Sequence, residues 1–230
     1  MADTNSDLRQ LAASGIRRFN ALASAVPGCV KLTLGEPEFD TPAPVKEAVS
    51  RSLAEGQTHY PPNNGKKELR EAISAYMRGQ GLDYGAEDII VACGATEALS
   101  ATLLALLNPG DEVVVPTPAF GLYETIVRAA HGHVRALDTT GSGFAIDEGA
   151  LRSAMGERTK AIVVTSPNNP TGCVYGPDSL DAVARVAAER GLFVVCDDVY
   201  NRLCYLDGFQ RLAARHPCLL YTSPSPRDCS

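Results

Sequence analysis

Short apolar runs and amphipathic stretches alternate along most of the chain. The runs at 112–115, 134–137, 161–165 and 192–196 are mostly aliphatic and end at polar residues, which predicts buried strands. Helical patterns separate them, the clearest being Pro177 to Arg190 between the last two runs. Strands that alternate with helices predict an α/β fold with a mostly parallel sheet.

The same patterns predict further elements outside this region. Helices are predicted at 7–25, 44–55, 66–78, 95–107, 147–155 and 212–215, and strands at 30–34 and 88–93. The length of 230 residues is enough for one large domain with a substantial core.

Charge and composition exclude several classes of partner. The net charge is −6 and there is no block of basic residues, which argues against nucleic acid or an anionic membrane as a partner. No apolar run of about 18 residues is present, so no membrane span is predicted. The polar, acidic start at 1–7 is unlike a signal peptide. We therefore expect a cytoplasmic protein.

Cysteine and histidine do not suggest a metal centre or disulfides. The seven cysteines form no Cys-x-x-Cys pair, and several lie in apolar patterns, so we interpret them as buried free thiols. Of the four histidines, His131 and His133 are close in sequence, but they precede a strand and predict a surface turn. No metal site is predicted.

Polar residues follow two predicted strands at the point where each strand ends. The sequence Ser-Pro-Asn-Asn-Pro-Thr-Gly occupies 166–172, and Cys-Asp-Asp-Val-Tyr occupies 196–200. The carboxyl ends of neighbouring parallel strands form the edge where α/β proteins bind ligands. Asn169, Asp197 and Tyr200 are therefore candidate functional residues, although Asp197 or Asp198 could instead cap a helix.

A second candidate site lies where the predicted strand at 88–93 meets the next helix. Gly94, Ala95 and Thr96 form the turn and the first helical residues, where free N–H groups and the helix dipole favour an anion. Many α/β proteins begin a helix in this way, so the pattern alone is weak. Similarly, Phe120 could be a core residue, and Tyr60 could be an ordinary surface residue.

Taken together, these motifs resemble the class I/II aminotransferases, which are pyridoxal 5'-phosphate enzymes of fold type I. The resemblance rests on Asn-Pro-Thr-Gly at 169–172 and Asp-x-x-Tyr at 197–200, and it extends to about Pro217. It implies a three-layer α/β/α large domain with a mostly parallel sheet, incomplete at the C-terminus. Residues 1–42 would form an N-terminal arm and substrate loop, and 43–217 the cofactor-binding domain.

The resemblance also implies where the cofactor is held. Its phosphate would lie at Gly94, Ala95 and Thr96, and its ring would stack on Phe120. Asp197 would pair with the ring nitrogen, a pairing that favours the protonated ring. Asp198 departs from the family, which usually has Glu there, and we expect this change to be tolerated.

Other residues would contact the cofactor's oxygen atom, the substrate or a second subunit. Tyr200 and Asn169 would donate hydrogen bonds to the phenolic oxygen of the cofactor. Asn169 and Gly35 would lie beside the substrate carboxylate. Tyr60 would reach the cofactor phosphate of the neighbouring subunit, which implies a homodimer. The expected reaction transfers an amino group between an L-amino acid and a 2-oxo acid.

One component of this chemistry has no match in the sequence. The family carries its Schiff-base lysine on a Ser-x-x-Lys segment beyond the Asp-x-x-Tyr motif, whereas all five lysines here precede that motif. The small C-terminal domain has no counterpart either. Residues 218–230 resemble a translated transposase adapter from sequencing libraries, and we interpret them as a non-native tail. We expect the chain as written to be inactive.

Other functions fit the same residues. A carbon–sulfur β-lyase or an ACC-synthase-like enzyme would use the same cofactor site. Outside catalysis, an aminotransferase-like regulatory domain or a pseudo-enzyme that binds cofactor without the lysine would also account for the motifs.

Overall fold

The computed structural model describes residues 6–9, 15–32, 35 and 39–217. The chain forms two compact units, residues 1–66 and residues 67–230. Because the predicted non-native tail at 218–230 lies outside the described residues, that interpretation stays a prediction.

The first unit contains helices and loops. Its helices are α1 (Ser6–Arg9), α2 (Gly15–Ser24) and α3 (Ala43–Ala54). Pro44 lies in the first turn of α3, as predicted, where the missing N–H costs least. The single helix predicted over 7–25 is represented by α1 and α2, with residues 10–14 outside the described part of the chain.

The strand predicted at 30–34 is wrong for the residues that can be compared. Val30, Lys31 and Leu32 are exposed and carry no strand pairing, and residues 33 and 34 are not among those described. An apolar run becomes a strand only where a neighbouring strand supplies hydrogen-bond partners. The sequence pattern alone does not indicate whether such a neighbour exists.

The second unit has the predicted alternation of helices and strands. Its helices are α4 (Lys67–Arg78), α5 (Ala95–Leu106), α6 (Leu122–Ala129), α7 (Glu148–Ala154), α8 (Pro177–Arg190) and α9 (Leu212–Arg215). Its strands are β1 (Glu112–Thr117), β2 (His133–Asp138), β3 (Thr159–Thr165) and β4 (Phe193–Asp197). Short 3-10 helices lie at Ala86–Asp88, Thr140–Ser142 and Asn201–Leu203. The α/β prediction is confirmed.

Within the described residues the strands form one parallel sheet in the order β2-β1-β3-β4. Because all four run in the same direction, their carboxyl ends lie at one edge. The β3–β4 register places Thr165 opposite Asp197 at that edge. The last residue of each strand is therefore a neighbour of the other.

Side chains on the two faces of the sheet belong to two separate hydrophobic clusters. On one face Val114, Ile162 and Val164 pack with residues of α7, α8 and α9. On the other face Val113 and Val163 pack with residues of α5 and α6. Because alternate strand residues point to opposite faces, each strand contributes to both clusters. Helices therefore cover both sides of the sheet. The three-layer α/β/α architecture is confirmed.

Helix α8 illustrates how closely the local sequence specifies these elements. Pro177 starts the helix, where proline costs least, and Gly191 ends it in the left-handed region at φ 63°. Buried residues such as Leu180 and Val183 face the sheet. The helix has the predicted bounds, and it returns the chain to the amino end of β4.

The strand predicted at 88–93 is also wrong among the described residues. Ile89 has extended dihedral angles, but the segment has no ladder partner, and the side chain of Ile90 is 77% exposed. The preceding residues are held by α4, since the Ser74 hydroxyl donates to the carbonyl of Tyr84 at 2.6 Å. The segment is thus an extended connection that leads into Gly94.

The expectation of buried thiols is wrong for part of the chain. Cys29 and Cys93 are exposed, whereas Cys173, Cys196 and Cys204 are partly buried, and these five are free thiols. Cys93 lies on the unpaired segment at 88–93, which explains its exposure. His131 lies in an exposed turn, as predicted.

The described residues offer neither a metal-binding cluster nor a membrane-spanning helix. They contain no cluster of three or more His, Cys, Asp or Glu side chains able to hold a metal ion. Within the same residues, every helix is too short or too polar to cross a membrane.

A charged cluster joins α9 to α8. Asp181 accepts hydrogen bonds from Arg215 at 2.5 and 2.7 Å, and its carboxylate lies 2.7 Å from Nε2 of His216. Arg215, with a smaller effect from His216, holds the pKa of Asp181 well below its usual value of 3.8. A lowered pKa stabilises the fold above the unfolded-state value, and this stabilisation is lost as the pH falls.

We therefore expect Asp181→Asn to lower the melting temperature at pH 7 by about 1–3 °C, since the pair is partly exposed. The difference from the parent should shrink as the pH falls below about 4. Thermal unfolding from pH 2.5 to 7 measures this. If the melting temperatures of Asp181→Asn and the parent differ by the same amount at pH 7 and at pH 3, Asp181 does not stabilise the fold through its charge.

Candidate active site

Loops that follow three parallel strands meet at the carboxyl edge of the sheet. These loops come after β1, β3 and β4. The amide of Asn168 donates to the carbonyl oxygen of Pro118 at 3.0 Å, which joins the loop after β3 to the loop after β1. The edge predicted from the sequence thus carries a connected set of polar groups.

The Asn-Pro-Thr-Gly stretch forms a closed turn. The N–H of Gly172 donates to the carbonyl of Asn168, and the N–H of Asn168 donates to the carbonyl of Cys173, each at 2.8 Å. Gly172 has φ 70°, a left-handed conformation that glycine adopts without strain. The Asn168 amide also donates to the Thr171 hydroxyl at 2.8 Å. This bonding fixes the backbone that carries Asn169.

Asn169 and Tyr200 meet across the two loops. The amide nitrogen of Asn169 donates to the hydroxyl oxygen of Tyr200 at 3.2 Å. Both side chains are partly exposed, so their remaining hydrogen-bonding capacity is open to a ligand. The two residues predicted to contact one ligand oxygen are therefore brought together.

Asp197 is held by two hydrogen bonds at the end of β4. Its Oδ2 accepts from the Tyr123 hydroxyl at 2.7 Å, and its Oδ1 accepts from the N–H of Val199 at 3.2 Å. The Tyr123 oxygen lies 2.6 Å from Oγ1 of Thr165. Since the only hydroxyl proton of Tyr123 points to Asp197, Thr165 donates to Tyr123. A chain of donors thus orients the buried carboxylate.

The surroundings of Tyr123 keep its hydroxyl protonated, so it remains a donor to Asp197. Burial raises the pKa of the Tyr123 phenol, and the neighbouring Asp197 charge raises it further. The phenol therefore stays a donor across the physiological range of pH. Asp197 keeps acceptor capacity for a cationic or N–H group of a ligand, which is the chemistry that a protonated ring nitrogen presents.

Phe120 lies beside this group. Its ring is 40% exposed and stands edge-on to the ring of Tyr123, with the centroids 6.1 Å apart and the planes at 89°. A core residue would be covered, so the alternative of a buried Phe120 is wrong. The ring offers an exposed aromatic surface next to Tyr123, whose hydroxyl donates to Asp197.

Gly94, Ala95 and Thr96 are exposed at the start of α5. Gly94 has φ 90° and precedes the first helical residue, and the first N–H groups of a helix have no partner within the helix. Glu97 turns back to accept a hydrogen bond from the N–H of Cys93. This bond uses the carboxylate of Glu97 to close the turn. The exposed N–H groups and the Thr96 hydroxyl fit an anion.

Two predicted residues belong to the other compact unit. Tyr60 and Gly35 are both exposed in the unit formed by residues 1–66. Their assigned contacts with a neighbouring subunit and with substrate stay predictions.

The alternative in which Asp197 or Asp198 caps an α-helix is wrong. The residues that follow form a turn and then the 3-10 helix Asn201–Leu203, whose preceding residue is Tyr200. The carboxylate of Asp198 instead lies 3.6 Å from Nε of Arg211.

The two lysines of residues 67–217, and the thiols of Cys173 and Cys196, supply no nucleophile at this edge. Lys67 pairs with Glu71 on α4, and Lys160 lies over the ring of Phe193 at the amino end of β4. Burial raises the pKa of the Cys196 thiol to about 12 and also raises that of Cys173. Both thiols are therefore protonated near neutral pH, and only thiolates are good nucleophiles.

Tyr123 and Thr165 are site residues that the sequence analysis missed. Tyr123 lies in an ordinary amphipathic helix, and its partner Asp197 is 74 positions away. A weak signal existed for Thr165, since a polar residue that ends a buried strand lies at the same edge as Asp197. The strand register that makes them neighbours becomes visible only in the fold.

Comparison with known proteins gives a family for this arrangement. Residues 27–224 match the sequence model described as aminotransferase class I and II. The chain is 47% identical over 178 residues to the aspartate/prephenate aminotransferase of Thermus thermophilus. The matched region covers 76% of this chain and 46% of that protein. It is 39% identical over 202 residues to a probable aspartate aminotransferase of Methanocaldococcus jannaschii, covering 87% and 53%.

A solved structure agrees with the fold. Aspartate aminotransferase from Thermus thermophilus with maleate superposes with a TM-score of 0.87 at 40% identity, covering 93% of this chain and 58% of that one. The chain thus spans about half the length of the curated relatives it matches.

Proposed function

Because the chain belongs to the aminotransferase class I and II family, we propose that its carboxyl-edge site holds pyridoxal 5'-phosphate in a pyridoxal-phosphate-dependent aminotransferase. The observation that carries this proposal is the oriented, buried carboxylate of Asp197 beside the Asn169–Tyr200 pair. When bound, the cofactor supplies the electron sink for reactions at the substrate Cα.

The donor set of this chain fits that group. The exposed start of α5 offers N–H groups to a phosphate, and the partly exposed ring of Phe120 offers a stacking surface. Asp197 accepts from the ring nitrogen and favours its protonated form. Asn169 and Tyr200 donate to the phenolic oxygen. The phosphate, the ring face, the ring nitrogen and the phenolic oxygen of the cofactor thus each have a partner of the right kind.

Amino-group transfer also needs a proton-shuttling base, for which the family uses a lysine. Since residues 67–217 place no lysine at the edge, the role we assign to these residues is to bind and orient the cofactor. The transfer between an L-amino acid and a 2-oxo acid is proposed for the protein as a whole.

For the substrate we propose a dicarboxylic amino acid such as aspartate. The support is the name of the relatives, an aspartate/prephenate aminotransferase and a probable aspartate aminotransferase, together with a related structure described with maleate. Gly35 and Asn169 are the residues proposed beside the substrate α-carboxylate. Tyr60 is proposed to complete the site of a second subunit, so a homodimer is part of the proposal.

The proposal is tested by titrating the purified chain with pyridoxamine 5'-phosphate, which binds without a covalent bond, and following its fluorescence. We expect saturable binding, and affinity at least about tenfold weaker for pyridoxamine, which lacks the phosphate that α5 would hold. Equal affinity for both compounds, or no binding of either, would contradict the proposed site.

A pair of tyrosine variants separates a specific effect from a general one. Tyr200→Phe removes the hydroxyl that meets Asn169 and should weaken binding by about threefold to tenfold. Tyr205→Phe alters a tyrosine of the same region whose side chain is 91% exposed, and it should leave affinity unchanged.

A further inference from the structure

Asp198, the second of two consecutive carboxylates, pairs with a buried arginine. Its Oδ2 lies 3.6 Å from Nε of Arg211, with 30% of the Asp198 side chain and 6% of the Arg211 side chain exposed. A surface pair is weak, but a guanidinium this deeply buried needs its counter-charge. The two residues therefore depend on each other.

Arg211 connects this pair to two helices. It immediately precedes α9, and its Nη1 lies 3.9 Å from the sulfur of Met77 on α4. Burial raises the pKa of Asp198, whereas the charge of Arg211 lowers it and that of Asp197 raises it. Arg211 thus offsets the cost of holding two negative charges at adjacent positions.

The backbone on the other side of Asp198 is also fixed. The carbonyl of Asp198 accepts from the N–H of Asn201 at 3.0 Å and from the side-chain amide of Asn201. The N–H of Leu203 donates to the carbonyl of Tyr200 at 2.8 Å. Tyr200 therefore lies within a short segment, residues 198–203, that is held at its first residue by a side chain and along its length by the backbone.

We propose that the Asp198–Arg211 ion pair is a positioning device that holds segment 198–203 so that the Tyr200 hydroxyl meets Asn169. The side chains of Asp198 and Arg211 take no part in the described hydrogen bonds of Asn169, Asp197 and Tyr200. The role assigned to Tyr200 in ligand binding rests on the proposed function, but the fixing of the segment does not. The carboxylate at position 198, which is Asp here and usually Glu in the family, then has a structural role as the partner of Arg211.

The first test measures amide hydrogen exchange of segment 198–203 in the intact chain without a ligand. The exchange is followed in a proteolytic peptide that covers these residues. Asp198→Asn and Arg211→Met should each speed exchange at Asn201 and Leu203 by at least about fivefold. Asp198→Glu keeps a carboxylate and should stay within about twofold of the parent. The double variant Asp198→Asn/Arg211→Met leaves no unpaired buried charge, so it should fold and still exchange fast.

A matched control breaks a second ion pair, which is formed by an arginine of α9. Asp181→Asn removes the carboxylate that binds Arg215 of α9. It should speed exchange in α9 and leave segment 198–203 unchanged. If it speeds exchange in 198–203 as much as Asp198→Asn does, the Asp198–Arg211 pair stabilises the domain without positioning the segment, and the proposal is overturned.

The second test uses pyridoxamine 5'-phosphate. Asp198→Asn and Arg211→Met should weaken its binding by about threefold to tenfold, while Asp198→Glu and Asp181→Asn keep parental affinity. Parental exchange rates in Asp198→Asn and Arg211→Met overturn the positioning role, whatever the affinity. If Asp198→Asn and Arg211→Met speed exchange but the parent chain does not bind pyridoxamine 5'-phosphate, the proposed function is overturned. The fixing of segment 198–203 by the ion pair is then still supported.

Discussion

Asp197→Asn is expected to weaken the binding of pyridoxamine 5'-phosphate by about 10- to 100-fold. A hydrogen bond to a charged group contributes about 1.5–3 kcal/mol, and this variant removes the charge while keeping the shape. The amide oxygen of Asn can still accept from Tyr123, which lies 2.7 Å from the carboxylate in the parent, but the amide nitrogen cannot accept from the N–H of Val199. The melting temperature should therefore fall by only about 2–4 °C, as expected for one lost hydrogen bond.

Parallel titrations and thermal melts of the two proteins measure both effects. Asp207→Asn, which neutralises an exposed carboxylate ten residues further on, is the matched control and should bind within about twofold of the parent. Parental affinity in Asp197→Asn would show that the carboxylate does not contact the ligand. A large loss of stability would show that its role is structural.

Tyr123→Phe should lower both stability and affinity. The Tyr123 side chain is 2% exposed, and its hydroxyl joins Thr165 to Asp197. Phenylalanine leaves the Thr165 hydroxyl and one carboxylate oxygen of Asp197 without this partner. A buried polar group that loses its partner costs about 1–3 kcal/mol, so the free energy of unfolding should fall by that amount. Binding should weaken because Asp197 is no longer held in one orientation.

Urea unfolding and the ligand titration together test this expectation. Tyr76→Phe, which alters a half-exposed tyrosine on α4, should change the free energy of unfolding by less than about 0.5 kcal/mol. If Tyr123→Phe matches Tyr76→Phe in both measurements, the hydroxyl does not orient Asp197. A loss of stability with full affinity would assign Tyr123 to the core alone.

The elements that the sequence predicted well are those with signals in their own residues. Helix α8 carries a proline start, an amphipathic pattern and a glycine end, and its bounds are as predicted. The four paired strands are aliphatic runs that end at polar residues. Asn169 and Tyr200 could be placed together because the carboxyl ends of parallel strands share an edge.

The errors arose where a feature depends on a distant partner. The runs at 30–34 and 88–93 are apolar enough for strands, but pairing needs a neighbour that the sequence pattern does not reveal. The same holds for the site. Nothing near Tyr123 indicates that its hydroxyl reaches Asp197, and nothing near Asp198 indicates that Arg211 is buried against it. These contacts are set by the packing of helices on the sheet.

A crystal structure of the chain with pyridoxamine 5'-phosphate tests most directly whether the carboxyl edge of this sheet holds the cofactor. We expect the phosphate at Gly94, Ala95 and Thr96 and the ring nitrogen within hydrogen-bond distance of Asp197. The phenolic oxygen should lie between Asn169 and Tyr200. A ligand bound away from Asp197, or an empty edge at saturating concentration, would show that this edge is not the cofactor site.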